Sequence, residues 1–201
     1  MTEVLRFVET LPPEEAARAN FYGLLARLFY APPDAALLEA LAGADEIEAE
    51  DGGIGEAWQS LGHAAAAADP DAVREEYESV FIGTGKAAVT LYTSAYTIRY
   101  SNEVPLVALR GELAALGLGR REGASEPEDH IAALCDAMRH FVAEQKRDLH
   151  EQARFFRRWI APAADPLCNA IAKHAATDFY KPVAHFANAF LHLEQSAFEM
   201  L

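Results

Sequence analysis

The sequence predicts an all-α fold, built as one helical domain over residues 1–201. Apolar residues recur at spacings of three and four in one segment after another, the repeat of a helix face. Turn residues punctuate those segments at Pro32-Pro33, at Asp69-Pro70, and at Gly117 with Gly119. A convincing pair of alternating strands is missing, which disfavours an α/β arrangement. Apolar residues make up 51% and charged residues 24%, ordinary usage for a folded globule. A chain of 201 residues buries enough surface to fold without staples.

The first clear helix carries Phe21, Leu24, Leu25, Leu28 and Phe29 on one face and ends at Pro32-Pro33. A short helix follows from Asp34 to Leu41. Residues 43–55 hold Asp45, Glu46, Glu48, Glu50, Asp51, Gly52 and Gly53, the pattern of a solvated acidic loop. Helical pattern resumes over 56–68, stops at Asp69-Pro70, and resumes over 71–82, where Val73, Tyr77, Val80 and Phe81 fall together. Residues 83–103 break the pattern. Gly83-Thr84-Gly85 is a turn, and the β-prone, aromatic run from Thr90 to Tyr100 reads as an irregular or partly helical connector; 83–103 is the segment within which a hinge is a candidate. Pro105 suits a helix start, with Leu106, Leu109, Leu113 and Leu116 on its face and Gly117 at its end. The strongest stripe comes next: Ile131, Leu134, Cys135, Met138, Phe141 and Val142. Helices over 148–160, 164–176 and 179–199 complete the chain; in the last, Val183, Phe186, Phe190, Leu191 and Phe198 give the core face.

The formal net charge is −14. Such a chain repels phosphate backbones, so nucleic acid is not expected as a partner. It attracts basic segments, although acidity can equally serve solubility alone. Cys135 and Cys168 form no CxxC pair and lie in apolar helical segments, as expected of reduced, buried thiols in a cytosolic protein. The start of the chain lacks the basic and apolar regions of a signal peptide. No run approaches the ~18 apolar residues that span a bilayer. A cytoplasmic protein without stable membrane insertion is expected.

Ser125-Glu126-Pro127-Glu128-Asp129-His130 opens the helix that carries the strongest stripe. Ser125 and Glu128 have the spacing of a capping box, and carboxylates here meet the positive end of the helix dipole. That account is purely structural. Asp129 lies on a different face from the capping pair, and His130 adjoins the first core residue, Ile131. An acid and an imidazole side by side at a helix entrance can present acceptors to a cationic or hydrogen-bonding ligand. The His130 ring can equally pack at the helix edge.

Glu126-Pro127-Glu128-Asp129-His130 resembles the E-P-x-D-H pattern of the TorD/DmsD/NarJ family of molybdoenzyme-specific chaperones. The resemblance extends to the aromatic helix around Asn20-Phe21-Tyr22-Gly23-Leu24-Leu25, to Tyr77-Glu78-Ser79-Val80-Phe81, and to the loop Leu91-Tyr92-Thr93-Ser94-Ala95-Tyr96, in that order. It covers residues 16–150 with motifs and the rest by helical pattern. The chain departs from several relatives in having Tyr92 and Tyr96 where they carry Pro or Trp.

The resemblance implies an all-helical fold with N- and C-terminal parts, as a monomer or a domain-swapped dimer. It implies a protein that binds without turnover and without a cofactor. Its partners would be the catalytic subunit of a molybdopterin oxidoreductase and that subunit's signal peptide, a twin-arginine leader, held until the molybdenum cofactor is loaded. Such a leader is basic at one end and apolar in the middle, so its receptor needs an apolar groove with carboxylates at one rim. On this reading Tyr77, Phe81, Tyr92 and Tyr96 line the groove. Glu126 and Asp129, the latter beside His130, meet arginine guanidiniums, and Ser94 satisfies peptide backbone. Core packing is the competing account of the aromatics, above all for Tyr77 and Phe81 at helical spacing.

Two other classes stay in view: a generic helical interaction or regulatory subunit, and a helical metal-dependent enzyme. Gly83-Thr84-Gly85-Lys86 ends like a phosphate-binding loop, but Val80 stands where its first glycine belongs and Ala87 where Ser or Thr should follow. The histidines form no HExxH pair. His185 and His192 can share a helix face, with Glu194 or Glu199 nearby, short of the three or four convergent ligands that a metal needs. No metal site and no nucleophile elbow is expected.

Overall fold

The computed structural model of the chain describes residues 11–47, 53–98, 105–120 and 126–201. Among them lie α1 Pro13–Tyr30, α2 Ala35–Ala42, α3 Gly53–Ala67 and α4 Pro70–Tyr77. A π turn, Glu78–Ile82, continues α4. Then come α5 Ser94–Thr97, α6 Pro105–Ala115, α7 Ile131–Ala143, α8 Leu149–Trp159, α9 Ala161–Lys173 and α10 Tyr180–Glu199. The fold is all-α. The one extended pairing among the described residues is an antiparallel bridge between Tyr92 and His130.

α1 packs along α7, and α10 packs on α9, α3 and α8. Their apolar stripes merge into one core running from Tyr22 to Phe198. Inside it the Phe21 ring meets Phe186 at 5.2 Å and Phe190 at 5.4 Å, both edge to face, the geometry ring quadrupoles favour. A polar cluster crosses the same bundle. Glu194 on α10 accepts from Arg18 at 2.7 and 2.8 Å and from the Tyr22 hydroxyl at 2.8 Å, and Arg18 also donates to Gln152 at 3.0 Å. Both groups of this ion pair are hydrogen-bonded, which is the condition for tolerating charge at such depth.

Two adjacent side chains of α4 serve the ends of other helices. The Glu76 carboxylate accepts from the N–H groups of Asp178, Phe179 and Tyr180 at 2.8–3.0 Å, at the start of α10. The Tyr77 hydroxyl reaches the carbonyls of Phe29 and Tyr30 at 3.0 and 2.9 Å, and the Tyr180 hydroxyl donates to Leu28 at 3.0 Å. Those carbonyls close α1, where no intrahelical donor is available. The end of α1 is thereby fixed against α4 and α10.

Several boundaries differ from those expected. α3 begins at Gly53 instead of 56, because Ile54 is buried and anchors the first turn. Gly55 lets the Ile47 carbonyl approach to 2.9 Å from where a Cβ would stand. Residues 48–52 of the expected acidic loop lie outside the described residues. α9 begins at Ala161 instead of 164, directly after α8, with proline in its first turn, where a missing N–H costs little. α6 ends as expected, Gly117 taking φ +76°. Cys135 and Cys168 are free and buried. Burial pushes both thiols up, Cys168 to about 12. Among the described residues no helix is long and apolar enough to cross a membrane.

Candidate functional site

The segment before α7 does not form the expected capping box. α7 starts at Ile131, and His130 is its N-cap, the ring Nδ1 accepting from the Ala132 N–H at 3.2 Å. A tight turn precedes it, with the His130 N–H donating to the Pro127 carbonyl at 3.1 Å. Glu128 therefore sits ahead of the first helical turn and pairs with Arg110 of α6 at 2.9 Å. Ser125 lies outside the described residues.

The connector runs across this helix entrance. The Thr93 N–H donates to the Asp129 carbonyl at 2.9 Å, and the Ile131 N–H to the Leu91 carbonyl at 2.9 Å. These bonds flank the Tyr92–His130 bridge, whose rings meet edge to face at 5.5 Å. Side chains lock it: the Tyr92 hydroxyl donates to Glu126 at 2.5 Å, and the Ser94 hydroxyl donates to the Asp129 carboxylate. After the bridge the chain turns into α5. Tyr100 of the expected connector lies outside the described residues.

Two cavities open at the bridge, because neighbouring residues of an extended segment face opposite ways. The first, about 170 Å³, is lined by Tyr77, Phe81, Tyr92, Glu126 and His130 together with Tyr30, Pro32 and Ile82. The second, about 220 Å³, is lined by Thr93, Ser94, Thr97, Pro105, Asp129, Arg158 and Trp159.

Five of the expected residues thus share one cavity, while Ser94 and Asp129 border the other. The expectation of a single groove with Glu126 and Asp129 on one rim is corrected: the turn at Pro127–His130 sends the two carboxylates to different cavities. The Ser94 hydroxyl, expected to meet peptide backbone, donates to the Asp129 carboxylate. Tyr96 borders neither cavity; its hydroxyl donates to the Thr90 carbonyl at 2.8 Å and its ring packs on the core. For Tyr77 and Phe81 the packing and lining accounts both hold. Their rings meet at 5.2 Å and are buried against Tyr180, yet they also border the first cavity.

Burial holds His130 below its ordinary range, outweighing the pull of Glu126 and Asp129 the other way. The neutral ring suits its work as a capping acceptor. The hydrogen bond to Glu126 pushes the Tyr92 phenol up to about 12, and burial, aided by Glu126, does the same for Tyr77. Both phenols remain donors at neutral pH.

Sequence reasoning missed Tyr30 and Ile82 at the first cavity, and Arg158 and Trp159 at the second. Glu112 of α6 accepts from Arg158 and from the Trp159 indole, each at 2.9 Å. The only sequence signals were positional: Tyr30 just precedes Pro32-Pro33, and Ile82 precedes Gly83. Gly83 closes the π turn instead of opening a helix, so Gly83–Lys86 has no helix N-terminus at which to hold a phosphate. His192 pairs with Asp165 at 2.7 Å, and Glu194 is engaged by Arg18. Among the described residues no three His, Cys, Asp or Glu side chains converge for a metal.

A family model described as the nitrate reductase delta subunit matches residues 47–179, which takes in the π turn, the bridge and the entrance of α7. Among curated proteins, none matches the chain. The helical fold and the ordered elements around Glu126–His130 agree with that match, and the chain belongs to the nitrate reductase delta subunit family, the NarJ/TorD-type chaperones of molybdoenzyme maturation.

Proposed function

We propose that the protein holds the apo catalytic subunit of a molybdopterin oxidoreductase by its twin-arginine leader until the molybdenum cofactor is in place. It acts in the cytoplasm, by binding and not by turnover. The whole chain, residues 1–201, acts as one unit, and any hinge falls within 83–103. One observation carries the reading: the Glu126 carboxylate, oriented by Tyr92, borders a cavity floored by Tyr77 and Phe81. A leader presents a guanidinium beside apolar side chains, and this arrangement offers each its complement. The net charge of −14 favours encounter with such a basic segment. Asp129 and Ser94 act from behind, bracing the bridge that carries Tyr92 and His130.

The test is calorimetric titration of the purified chain with a synthetic leader carrying an arginine pair and a leucine-rich segment. Saturable binding is expected, weakening as salt rises because partly exposed charges are screened. It should weaken further when both arginines become glutamine. No binding at low salt, or equal affinity for both peptides, would contradict the reading.

A further inference from the structure

Tyr30 and Ile82 are each 59% exposed, unusual for large apolar side chains, and both border the same cavity. The two come from elements far apart in sequence: Tyr30 ends α1 and Ile82 ends the π turn. Ala31 and Pro32, which follow Tyr30, also line the cavity. The result is an apolar lip over an aromatic floor, with the Glu126 carboxylate on the same cavity.

The backbone holds this lip in place. With α-helical spacing, Ile82 would stand about 140° around the axis from Tyr77. In the π turn hydrogen bonds run from residue i to i+5, as in the Gly83 N–H to Glu78 carbonyl bond at 2.8 Å. The extra residue per turn brings Ile82 round toward the side of Tyr77, and both line the cavity. Gly83 then takes φ +64° and ψ 172°, a region essentially confined to glycine. A Cβ there would lie 2.3 Å from the Lys86 carbonyl. At the other side, the Tyr77 hydroxyl ties the Tyr30 carbonyl at 2.9 Å.

A cavity of about 170 Å³ is well below the ~300–1,000 Å³ of sites that hold cofactors or drug-sized ligands. It is close to the ~150 Å³ of an engineered cavity, in another protein, that admits benzene. That volume suits one side chain. Resting on the function proposed above, we infer that Tyr30 and Ile82 form the lip of an anchor pocket that seats one large apolar side chain of the client segment, next to an arginine or lysine of the same segment bound by Glu126.

The experiment titrates the same synthetic leader, and versions with single leucines changed to alanine, into wild-type protein and into Ile82→Ser, Tyr30→Ala and Leu193→Ser. Leu193 is a control, 44% exposed on α10 and outside both cavities. Ile82→Ser and Tyr30→Ala are expected to weaken binding by roughly tenfold or more, with thermal midpoints near wild type and Leu193→Ser unchanged. One leucine-to-alanine peptide should show the same loss with wild type and little further loss with Ile82→Ser, because both remove the same contact. Wild-type affinity in both Ile82→Ser and Tyr30→Ala, with the leader still bound, would overturn the anchor pocket and leave the chaperone reading standing. Failure of wild type to bind the leader would overturn both.

Discussion

The two cavities meet where the connector crosses the entrance of α7 and differ in what else lines them. At the first, Glu126 is half-buried beside aromatic floor and apolar lip. At the second, Asp129 is 7% exposed, its carboxylate bonded by Ser94, and the lining already holds a cation, Arg158, paired with Glu112. Both carboxylates are held by hydroxyls of the connector, Glu126 by Tyr92 and Asp129 by Ser94, but Glu126 borders the apolar cavity while Asp129 is buried. Three residues of separation suffice, because the Pro127–His130 turn reverses the direction in which they point. On the proposed function, a motif read as one constellation divides into a contact and its brace.

The largest expected effect separates the cavities through backbone shape. Gly83→Ala must either abandon its glycine-only conformation or clash with the Lys86 carbonyl. A loss of about 2–3 kcal/mol in denaturant unfolding is expected, with weakened leader binding because Ile82 moves, and with the second cavity intact. A stable variant with wild-type affinity would show that the π turn does not set the lip.

A smaller effect lies in pH. Burial lowers the His130 pKa from its ordinary 6.5. The unfolded chain therefore takes up this proton first as pH falls, so the folded state loses stability from about 6.5 downward. Glu126, Asp129 and the Tyr92 ring are the groups that face it. His130→Asn keeps a capping acceptor without a titrating ring. Thermal midpoints of wild type should fall relative to this variant below pH 6.5. Parallel curves would mean that the ring is not held neutral by the fold.

Much of the fold was legible because helix faces repeat locally. Leu25, Leu28 and Phe29 mark α1, and Ile131 to Val142 mark α7. The starts of α2 and α4 fall within a residue of those expected, where the Asp34 side chain accepts from the Leu37 N–H and Asp69 from those of Asp71 and Ala72. The π turn was not legible, since Tyr77, Val80 and Phe81 also fit α-helical spacing. The cap of α7 was misread because Ser125 and Glu128 have the right spacing, whereas histidine is an uncommon N-cap. Seven of the eight residues expected from the motif and its neighbours border one cavity or the other, and Tyr96 packs on the core instead. The division between cavities was not legible, because it depends on the connector crossing the helix entrance. Tyr30 and Ile82 escaped notice for a related reason: contacts between α1, α4 and α10 are set by tertiary bonds such as Tyr77 to Phe29 and Tyr180 to Glu76.

The most direct measurement compares leader affinity and thermal midpoint in Glu126→Gln and Asp129→Asn, side by side with wild type. Each removes one charge while keeping the side chain's shape. Loss of a charge-assisted contact predicts that Glu126→Gln binds the leader roughly tenfold more weakly, with a smaller fall in midpoint than Asp129→Asn because Glu126 is only half-buried. Asp129→Asn should melt earlier while its folded form binds within about twofold of wild type. The reverse pattern, with Asp129→Asn losing affinity and Glu126→Gln keeping it, would contradict the account.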